Sequence, residues 1–371
     1  MKIVADAHIP FLRGIAEQYG ATTYLSGKEF TKDAIRDAET LIVRTVTRFD
    51  SEILEGSKVK LICSATIGFD HIDTNYCDAN NIRWFNSPGC NSGSVKQYIA
   101  SALIELSRKK KFSLEGKTIG IVGVGNVGRK VAEAASLLGM NVLLNDPPRQ
   151  KAEGIDKFTD LETIKREADI ITFHTPLTKT GEYKTLHLAD QHFFQTLGKR
   201  PVIINAARGG IIDTLAIKEA IREEKISGTI IDCWENEPNI DPEYLEMADI
   251  ATPHIAGYSA DGKANATRMS LETLADFYKL GKGPIEEIIL PMPEEPVIDL
   301  NRFPSENRIH ETLLHTYSVE KESDKLKAMP RNFTFFREHY PLRRENLAYK
   351  ISNACTEEKA LLKKWGFSCL E

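Results

Sequence analysis

The chain has 371 residues, 42% of them hydrophobic, and its 48 basic and 53 acidic side chains leave a formal net charge of −5. That length predicts two or three domains, and the slight acidic excess argues against nucleic acid or an anionic membrane surface as the partner. No apolar run approaches the roughly 20 residues a membrane-spanning helix needs; no secretory signal precedes Met1-Lys2-Ile3-Val4 and the six cysteines form no C-x-x-C pair, so the expectation is a soluble cytoplasmic protein with reduced, mostly buried thiols and no metal site.

Residues 1 to about 97 read as a small alternating unit. Lys2 to Ala5 is a short strand, Phe11 to Tyr19 a helix with Leu12, Ile15 and Ala16 on one face, and Thr22 to Leu25, Leu41 to Val43, Leu61 to Ser64 and Ile82 to Phe85 are further strands. Polar residues follow two of these strands directly: Arg44-Thr45-Val46-Thr47 and Ala65-Thr66-Ile67-Gly68. Ligands of open α/β sheets bind at the carboxyl ends of strands, which makes these turns candidate substrate contacts; they are equally ordinary turn chemistry. A helix follows from Ser92 or Ser94 to Lys109, its stripe of Val95, Tyr98, Ile99, Ala102, Leu103 and Leu106 assigned to the core and its basic end, Arg108 to Lys111, to a solvated helix C-terminus.

The stretch from Thr118 to Asp146 is the most informative. An apolar run leads into Gly123-Val124-Gly125-Asn126-Val127-Gly128, an amphipathic segment follows to Leu138, and a second apolar run ends at Asp146. Strand, glycine turn, helix and strand in this register predict a dinucleotide site. Gly123 permits the turn, Gly125 lets the backbone approach a pyrophosphate, Gly128 lets helix pack on strand, and the N–H groups that open the helix at Asn126 and Val127 face the anion. Asp146 stands eighteen residues beyond Gly128, close to the roughly 20 at which an acid bonds the adenosine ribose. NAD is therefore expected over NADP, although Arg149 is placed where an arginine can accommodate a 2′-phosphate.

Strands continue at Ile170 to Phe173, Val202 to Asn205, Gly228 to Ile231 and Ile250-Ala251, with helices at Leu161 to Glu167, Asp190 to Leu197 and Thr214 to Glu224, which completes a six-strand sheet from Thr118 onward. Each strand ends in polar residues: Asp146, His174-Thr175, Asn205 to Gly210, Asp232 with Glu235 and Glu237, and His254. Parallel strands bring those ends to one edge. Oxidation of a 2-hydroxy acid needs a base for the hydroxyl proton and a cation for the carboxylate and the nascent carbonyl. His254 suits the first task and Arg208 the second, and Glu237 could fix the tautomer of His254.

These motifs, with Phe173-His174-Thr175-Pro176-Leu177, Asp232-Cys233-Trp234-Glu235-Asn236-Glu237-Pro238 and Pro253-His254-Ile255-Ala256-Gly257-Tyr258-Ser259, resemble those of the D-isomer-specific 2-hydroxyacid dehydrogenases. The resemblance implies an α/β fold of two Rossmann-like lobes, each a doubly wound parallel sheet, plus a small α+β C-terminal dimerisation module. Its implied domains are 1–97 and 257–286 for substrate, 98–256 for NAD and 287–371 for dimerisation, with closure of the two lobes excluding water. By motif, Arg208, Glu237 and His254 become catalytic. NAD contacts fall at Gly123, Gly125, Asn126, Val127, Gly128, Asp146, Thr175, Ala206, Ala207, Arg208, Asp232 and Gly257, and substrate contacts at Thr45, Thr66 and Tyr258. A closer likeness within the family, carried by Arg44 to Thr47, Asn145 to Arg149, Lys184 to Leu188 and Leu342 to Glu345, implies oxidation of 4-phospho-D-erythronate to 2-oxo-3-hydroxy-4-phosphobutanoate. Alternatives are a relative acting on 3-phosphoglycerate and a NAD-sensing protein without turnover.

Beyond the linker at Gly281 to Pro296, short strands at Val297 to Leu300, Ala348 to Ile351 and Phe367 to Leu370 and helices at Ile309 to His315 and Glu357 to Trp365 suggest an α+β module. Roughly 75 residues make a marginal core, so burial against a second copy is an economical expectation, and the resemblance implies a homodimer. The only basic pair evident for a substrate phosphate is Arg44 and Arg48, which makes Arg343 or Arg344 a candidate to reach the substrate, with surface or dimer-contact ion pairs as the alternative.

Overall fold

The computed structural model describes residues 1–341 and 343–370; Leu342 and Glu371, both assigned above to the C-terminal module, lie outside them. The chain divides into two compact units, Met1–Asn91 with Ser259–Pro291, and Ser92–Tyr258 with Met292–Glu371. Among the described residues no helix is long and apolar enough to cross a membrane.

The first unit is built on β1 (Lys2–Asp6), β2 (Ala21–Leu25), β3 (Thr40–Val43), β4 (Leu61–Ser64) and β5 (Arg83–Phe85), all parallel in the order β2-β1-β3-β4-β5. Successive side chains of a strand point to opposite faces. Ile3, Ala5, Ile42 and Leu61 thus meet Ala264, Leu271 and Leu274 of the helix Ala260–Tyr278 on one face, while Val4, Leu41, Val43 and Ile62 meet Phe30, Phe49 and Leu54 on the other. The helix expected over Phe11 to Tyr19 is only a 3₁₀ turn at Ala16–Gln18. Phe11 and Gly14 both take positive φ, +62° and +85°, which interrupts the helical ladder. Leu12 and Ala16 are still fully buried, so the apolar face survives without the helix.

The second unit carries β6 (Thr118–Val122), β7 (Asn141–Asn145), β8 (Ile170–Phe173), β9 (Val202–Asn205), β10 (Gly228–Ile231) and β11 (Ile250–Ala251), all parallel, in the order β11-β10-β9-β8-β6-β7. The chain starts at β6, steps outward to β7, then crosses back to β8. The strand order therefore reverses between β6 and β8, and ligands of doubly wound sheets bind at the carboxyl side of such a switch point. Ile119, Ile121, Ile170 and Ile204 pack on Tyr98, Leu103 and Val131 of the helices Ser92–Lys110 and Asn126–Leu137. Ile171, Phe173, Ile203 and Ile231 pack on Ile164, Phe193, Ile217 and Tyr244 behind the sheet.

The C-terminal segment forms a third parallel sheet, β12 (Val297–Asp299), β13 (Lys350–Ser352) and β14 (Ser368–Cys369). It also holds two helices that the sequence reading left out, Val319–Ala328 and Phe333–Glu338. Val319–Ala328 is charged along most of its length, and only Val319, Ser323 and Leu326 are buried, too few to mark a helix by period. Tertiary hydrogen bonds anchor it. Val319 N–H donates to Ser101 Oγ at 3.0 Å, the Ser318 hydroxyl and Glu320 N–H donate to the two oxygens of Glu105 at 2.7 Å each, and Ala251 N–H donates to Ser323 Oγ at 3.0 Å. The segment does not build a core of its own: Ile298, Leu300, Leu313, Val319, Ile351, Leu362 and Trp365 join the core that contains Tyr98 and Leu103. Its marginal size is thus offset within the chain, against the helix Ser92–Lys110. The basic end of that helix is likewise tied down, Arg108 to Glu311 at 2.9 Å and Lys110 to Asp249 at 3.0 Å.

Candidate active site

The carboxyl edge of the six-strand sheet gathers the polar residues singled out above. At the switch point Gly123 adopts φ +91°, and a Cβ there would lie 2.7 Å from the backbone of His174 and Thr175. A Cβ on Gly128 would lie 2.0 Å from the Gly123 oxygen, so helix and loop approach as only glycines allow. A Cβ on Gly125 would meet nothing within 4 Å. That open space lies where Gly125 caps the twelve-residue helix Asn126–Leu137 without a capping side chain. The Thr175 hydroxyl, after β8, is buried with no hydrogen-bond partner among the described residues. An open glycine at a helix N-terminus beside an unsatisfied hydroxyl fits the pyrophosphate of a dinucleotide.

Asp146 ends β7 and ties this loop together. Its carboxylate accepts from Val124 N–H at 2.8 Å and from Arg149 N–H at 3.1 Å, capping the helix Pro147–Glu153. Arg149 points elsewhere: its guanidinium binds both oxygens of Glu153 at 2.6 and 2.7 Å, bonds the Val124 carbonyl, and lies over Phe158. An arginine so engaged is not poised for a 2′-phosphate, which favours NAD.

Further along the edge, Ala206, Ala207 and Arg208 follow β9. The Asn205 side chain accepts from Ala207 N–H at 3.2 Å and donates to the carbonyls of Arg208 at 2.9 Å and Cys233 at 3.3 Å, which sets the loop. The Arg208 guanidinium bonds only its neighbour's carbonyl, Ala207 O at 2.8 Å, among the described residues. Glu235 and Glu237, two residues apart, diverge. Glu235 binds His187 Nε2 at 2.7 Å and accepts from the N–H and hydroxyl of Thr214. Glu237 binds His254 Nδ1 at 2.7 Å through one oxygen and accepts from Trp234 N–H at 2.8 Å through the other. Burial raises the Glu237 carboxyl, but the hydrogen bond and charge of His254, with the Trp234 N–H, outweigh it and hold the group below the usual carboxylate range.

His254 takes φ +57°, a left-handed conformation uncommon outside glycine. Asp232, buried after β10, holds it there: its carboxylate accepts from Ile255 N–H at 2.8 Å, Ala256 N–H at 3.0 Å and the Thr252 hydroxyl at 2.6 Å, and that hydroxyl also meets Tyr98 Oη at 2.7 Å. Both oxygens of Asp232 therefore face the protein interior. Burial pushes its carboxyl up, against the opposing effect of His254 and these donors. Cys233 Sγ lies within 4.8 Å of ligand atoms of Glu237 and His254. Burial, then the charges of Asp232 and Glu237, push its thiol well above the ordinary range, which disfavours the nucleophilic thiolate.

Gly257 and Tyr258 follow on the same loop. The Tyr258 hydroxyl accepts from Arg337 Nε at 3.1 Å. Arg337 belongs to the short helix Phe333–Glu338 and escaped the sequence reading, because nothing in local pattern links it to Tyr258. Arg343, singled out for the substrate, is instead a buried fastener: its Nη2 donates to Ser94 Oγ and Ala256 O at 2.7 Å each and its guanidinium lies 4.0 Å over Tyr317. In the first unit Thr45 is exposed just past β3. Thr66, past β4, meets Ser64 Oγ at 2.7 Å and donates to Gly68 O at 3.0 Å. Arg44 pairs with Asp6 at 3.1 Å and Arg48 with Asp50 at 2.9 Å.

Fold and strand-end constellation define a D-2-hydroxyacid dehydrogenase, and residues 95–256 match the NAD binding domain of the D-isomer specific 2-hydroxyacid dehydrogenases. The structure of NAD+-bound 3-phosphoglycerate dehydrogenase from Entamoeba histolytica is similar, at TM-score 0.64 and 28% identity over 78% of this chain and 99% of that one. Nearer in sequence are the erythronate-4-phosphate dehydrogenases of Bacteroides thetaiotaomicron, 51% identical over 95% of this chain and 99% of the relative, and of Porphyromonas gingivalis, 45% identical over 99% and 100%. The chain belongs to the erythronate-4-phosphate dehydrogenase family.

Proposed function

We propose that the protein oxidises 4-phospho-D-erythronate to 2-oxo-3-hydroxy-4-phosphobutanoate, a step of pyridoxal phosphate (vitamin B6) biosynthesis, with NAD as cofactor. The observation that carries this is the His254–Glu237 hydrogen bond on the same strand-end edge as Arg208, which has no acidic partner among the described residues, and a glycine loop shaped for a dinucleotide. Gly123, Gly125, Asn126, Val127, Gly128, Asp146, Thr175, Ala206, Ala207, Arg208 and Gly257 would hold NAD, and Asp232 contributes by fixing the loop that presents Gly257. Bound NAD supplies the hydride acceptor.

The chain's own residues supply the rest. Glu237 takes the Nδ1 proton of His254 in a hydrogen bond, which leaves Nε2 unprotonated to accept the proton of the C2 hydroxyl. The imidazolium that forms is stabilised by the Glu237 carboxylate, whose other oxygen accepts from Trp234 N–H. Arg208 grips the substrate carboxylate and polarises the developing carbonyl. In reduction the same imidazolium returns the proton. The hydroxyls of Thr45 and Thr66, at the carboxyl edge of the first sheet, and Tyr258 are assigned to substrate.

We also infer a homodimer formed through the C-terminal segment. Exposed apolar side chains there, Met292 at 66%, Val297 at 44% and Leu347 at 75%, support it. Free, largely buried cysteines support a reducing, cytoplasmic setting. Turnover of 4-phospho-D-erythronate and of 3-phosphoglycerate, followed as NADH appearance, tests the reading. Preference for the first is expected, with most turnover lost in His254→Ala while NAD still binds. Preference for 3-phosphoglycerate would assign the substrate to the other branch, and NAD binding without any turnover would identify a sensor.

A further inference from the structure

A guanidinium carried out of bulk water needs a counter-charge, and one that finds none in its own protein is suited to an anionic ligand. Among the described residues Arg337 is half-buried, forms no ion pair and makes one hydrogen bond, from Nε to Tyr258 Oη at 3.1 Å, with its guanidinium carbon 5.9 Å from the centre of that ring. Glu237 and Cys233 act on it electrostatically, and its partner Tyr258 lies on the loop that carries His254. No ion pair joins it to Glu237 among the described residues; the Glu237 oxygens meet Trp234 N–H and His254.

We propose that Arg337, oriented by Tyr258, is an anion subsite that binds the terminal phosphate of the acid, leaving Arg208 for the carboxylate. The assignment rests on the dehydrogenase reading and deepens it. A phosphorylated four-carbon hydroxy acid has an anion at each end, and a single arginine beside the base cannot hold both. The other candidate arginines are engaged: Arg44 by Asp6, Arg48 by Asp50, and Arg343 by Ser94 and Ala256, and Arg344 is not free either. Tyr258 lies four residues after His254, so the residue that aims Arg337 and the proton acceptor share one short loop. A planar fork held at Nε presents its two Nη groups together, the geometry that grips a phosphate bidentately.

Steady-state kinetics of wild type and Arg337→Gln with 4-phospho-D-erythronate and with unphosphorylated D-erythronate test the subsite. The ratio of kcat/KM between the two acids is expected to fall about 10- to 100-fold in Arg337→Gln, the range set by a lost charge-assisted hydrogen bond, chiefly through KM. Arg337→Lys, which keeps the charge and loses the fork, should fall between. Inorganic phosphate should compete with the phosphorylated acid in wild type and markedly less in Arg337→Gln. An unchanged ratio, or an equal loss for both acids, overturns the proposal. If Arg337→Gln fails to fold, phosphate competition in wild type and Arg337→Lys decides, and its absence in wild type is the refuting result. Failure of the dehydrogenase reading is seen separately, as no turnover of either acid by wild type. Calorimetry with inorganic phosphate still reports on the subsite in that event: binding lost in Arg337→Gln supports it, and equal binding by both proteins sinks it.

Discussion

Glu237→Gln changes one atom and almost no volume, yet the geometry around Glu237 makes it a severe test of the proton path. One Glu237 oxygen accepts from Trp234 N–H at 2.8 Å and the other meets His254 Nδ1 at 2.7 Å. A glutamine has only one acceptor oxygen. If that oxygen stays on the Trp234 N–H, its amide N–H₂ faces Nδ1, which must then become the acceptor. The ring proton moves to Nε2, the atom that has to be vacant to take the hydroxyl proton. The flipped amide would set two donors against each other at Trp234. In histidine bases whose tautomer is fixed by a carboxylate, the corresponding amide costs on the order of 10⁴ in rate, about 5.5 kcal/mol in the barrier. We therefore expect kcat for 4-phospho-D-erythronate oxidation to fall about 10²- to 10⁴-fold, with NAD binding, read by fluorescence titration, near that of wild type. A variant within about threefold of wild-type kcat would show that the carboxylate does not set the tautomer, and the mechanism would have to be abandoned.

Two further substitutions probe other links. Asp146→Ala removes the acceptor for Val124 N–H and the cap of the helix Pro147–Glu153. A lost cap costs about 1 kcal/mol, so a lower Tm should accompany weaker NAD binding and a shift of the NAD-to-NADP preference toward NADP; unaltered cofactor preference would contradict the ribose assignment. Burial depresses His71 to about 4, only partly opposed by Asp70. A histidine kept neutral in the folded state stabilises fully above its unfolded pKa near 6.5 and loses that contribution as pH falls toward 4. Urea midpoints measured from pH 7 to 4.5 should therefore drop more steeply for wild type than for His71→Gln, and parallel curves would refute the linkage.

Much of the dinucleotide half was legible in the sequence because its signals are local. A glycine turn, an apolar run and the acid that ends the next strand follow from backbone sterics within thirty residues, and parallel strands carry His174, Asn205, Asp232 and His254 to one edge whatever the loops between them do. The helix expected at Phe11 to Tyr19 failed for an equally local reason, two positive φ values that apolar spacing does not reveal. The helix Val319–Ala328 is charged along most of its length and its start is held by Ser101 and Glu105, more than two hundred residues earlier. No periodicity encodes such a dependence.

The site divides in the same way. Sequence alone determined that a base, an acid and an arginine end successive strands of a dinucleotide-binding sheet, since residue type and strand order suffice for that. Only tertiary structure decided that Asp232 turns inward to hold His254 in its left-handed conformation, that Glu235 is bound by His187 and Thr214, that Arg149 and Arg343 are bound within the protein, and that Arg337 stands beside Tyr258. Each of these is a choice among hydrogen-bond partners of the same chemical type, and distance, not residue identity, makes that choice.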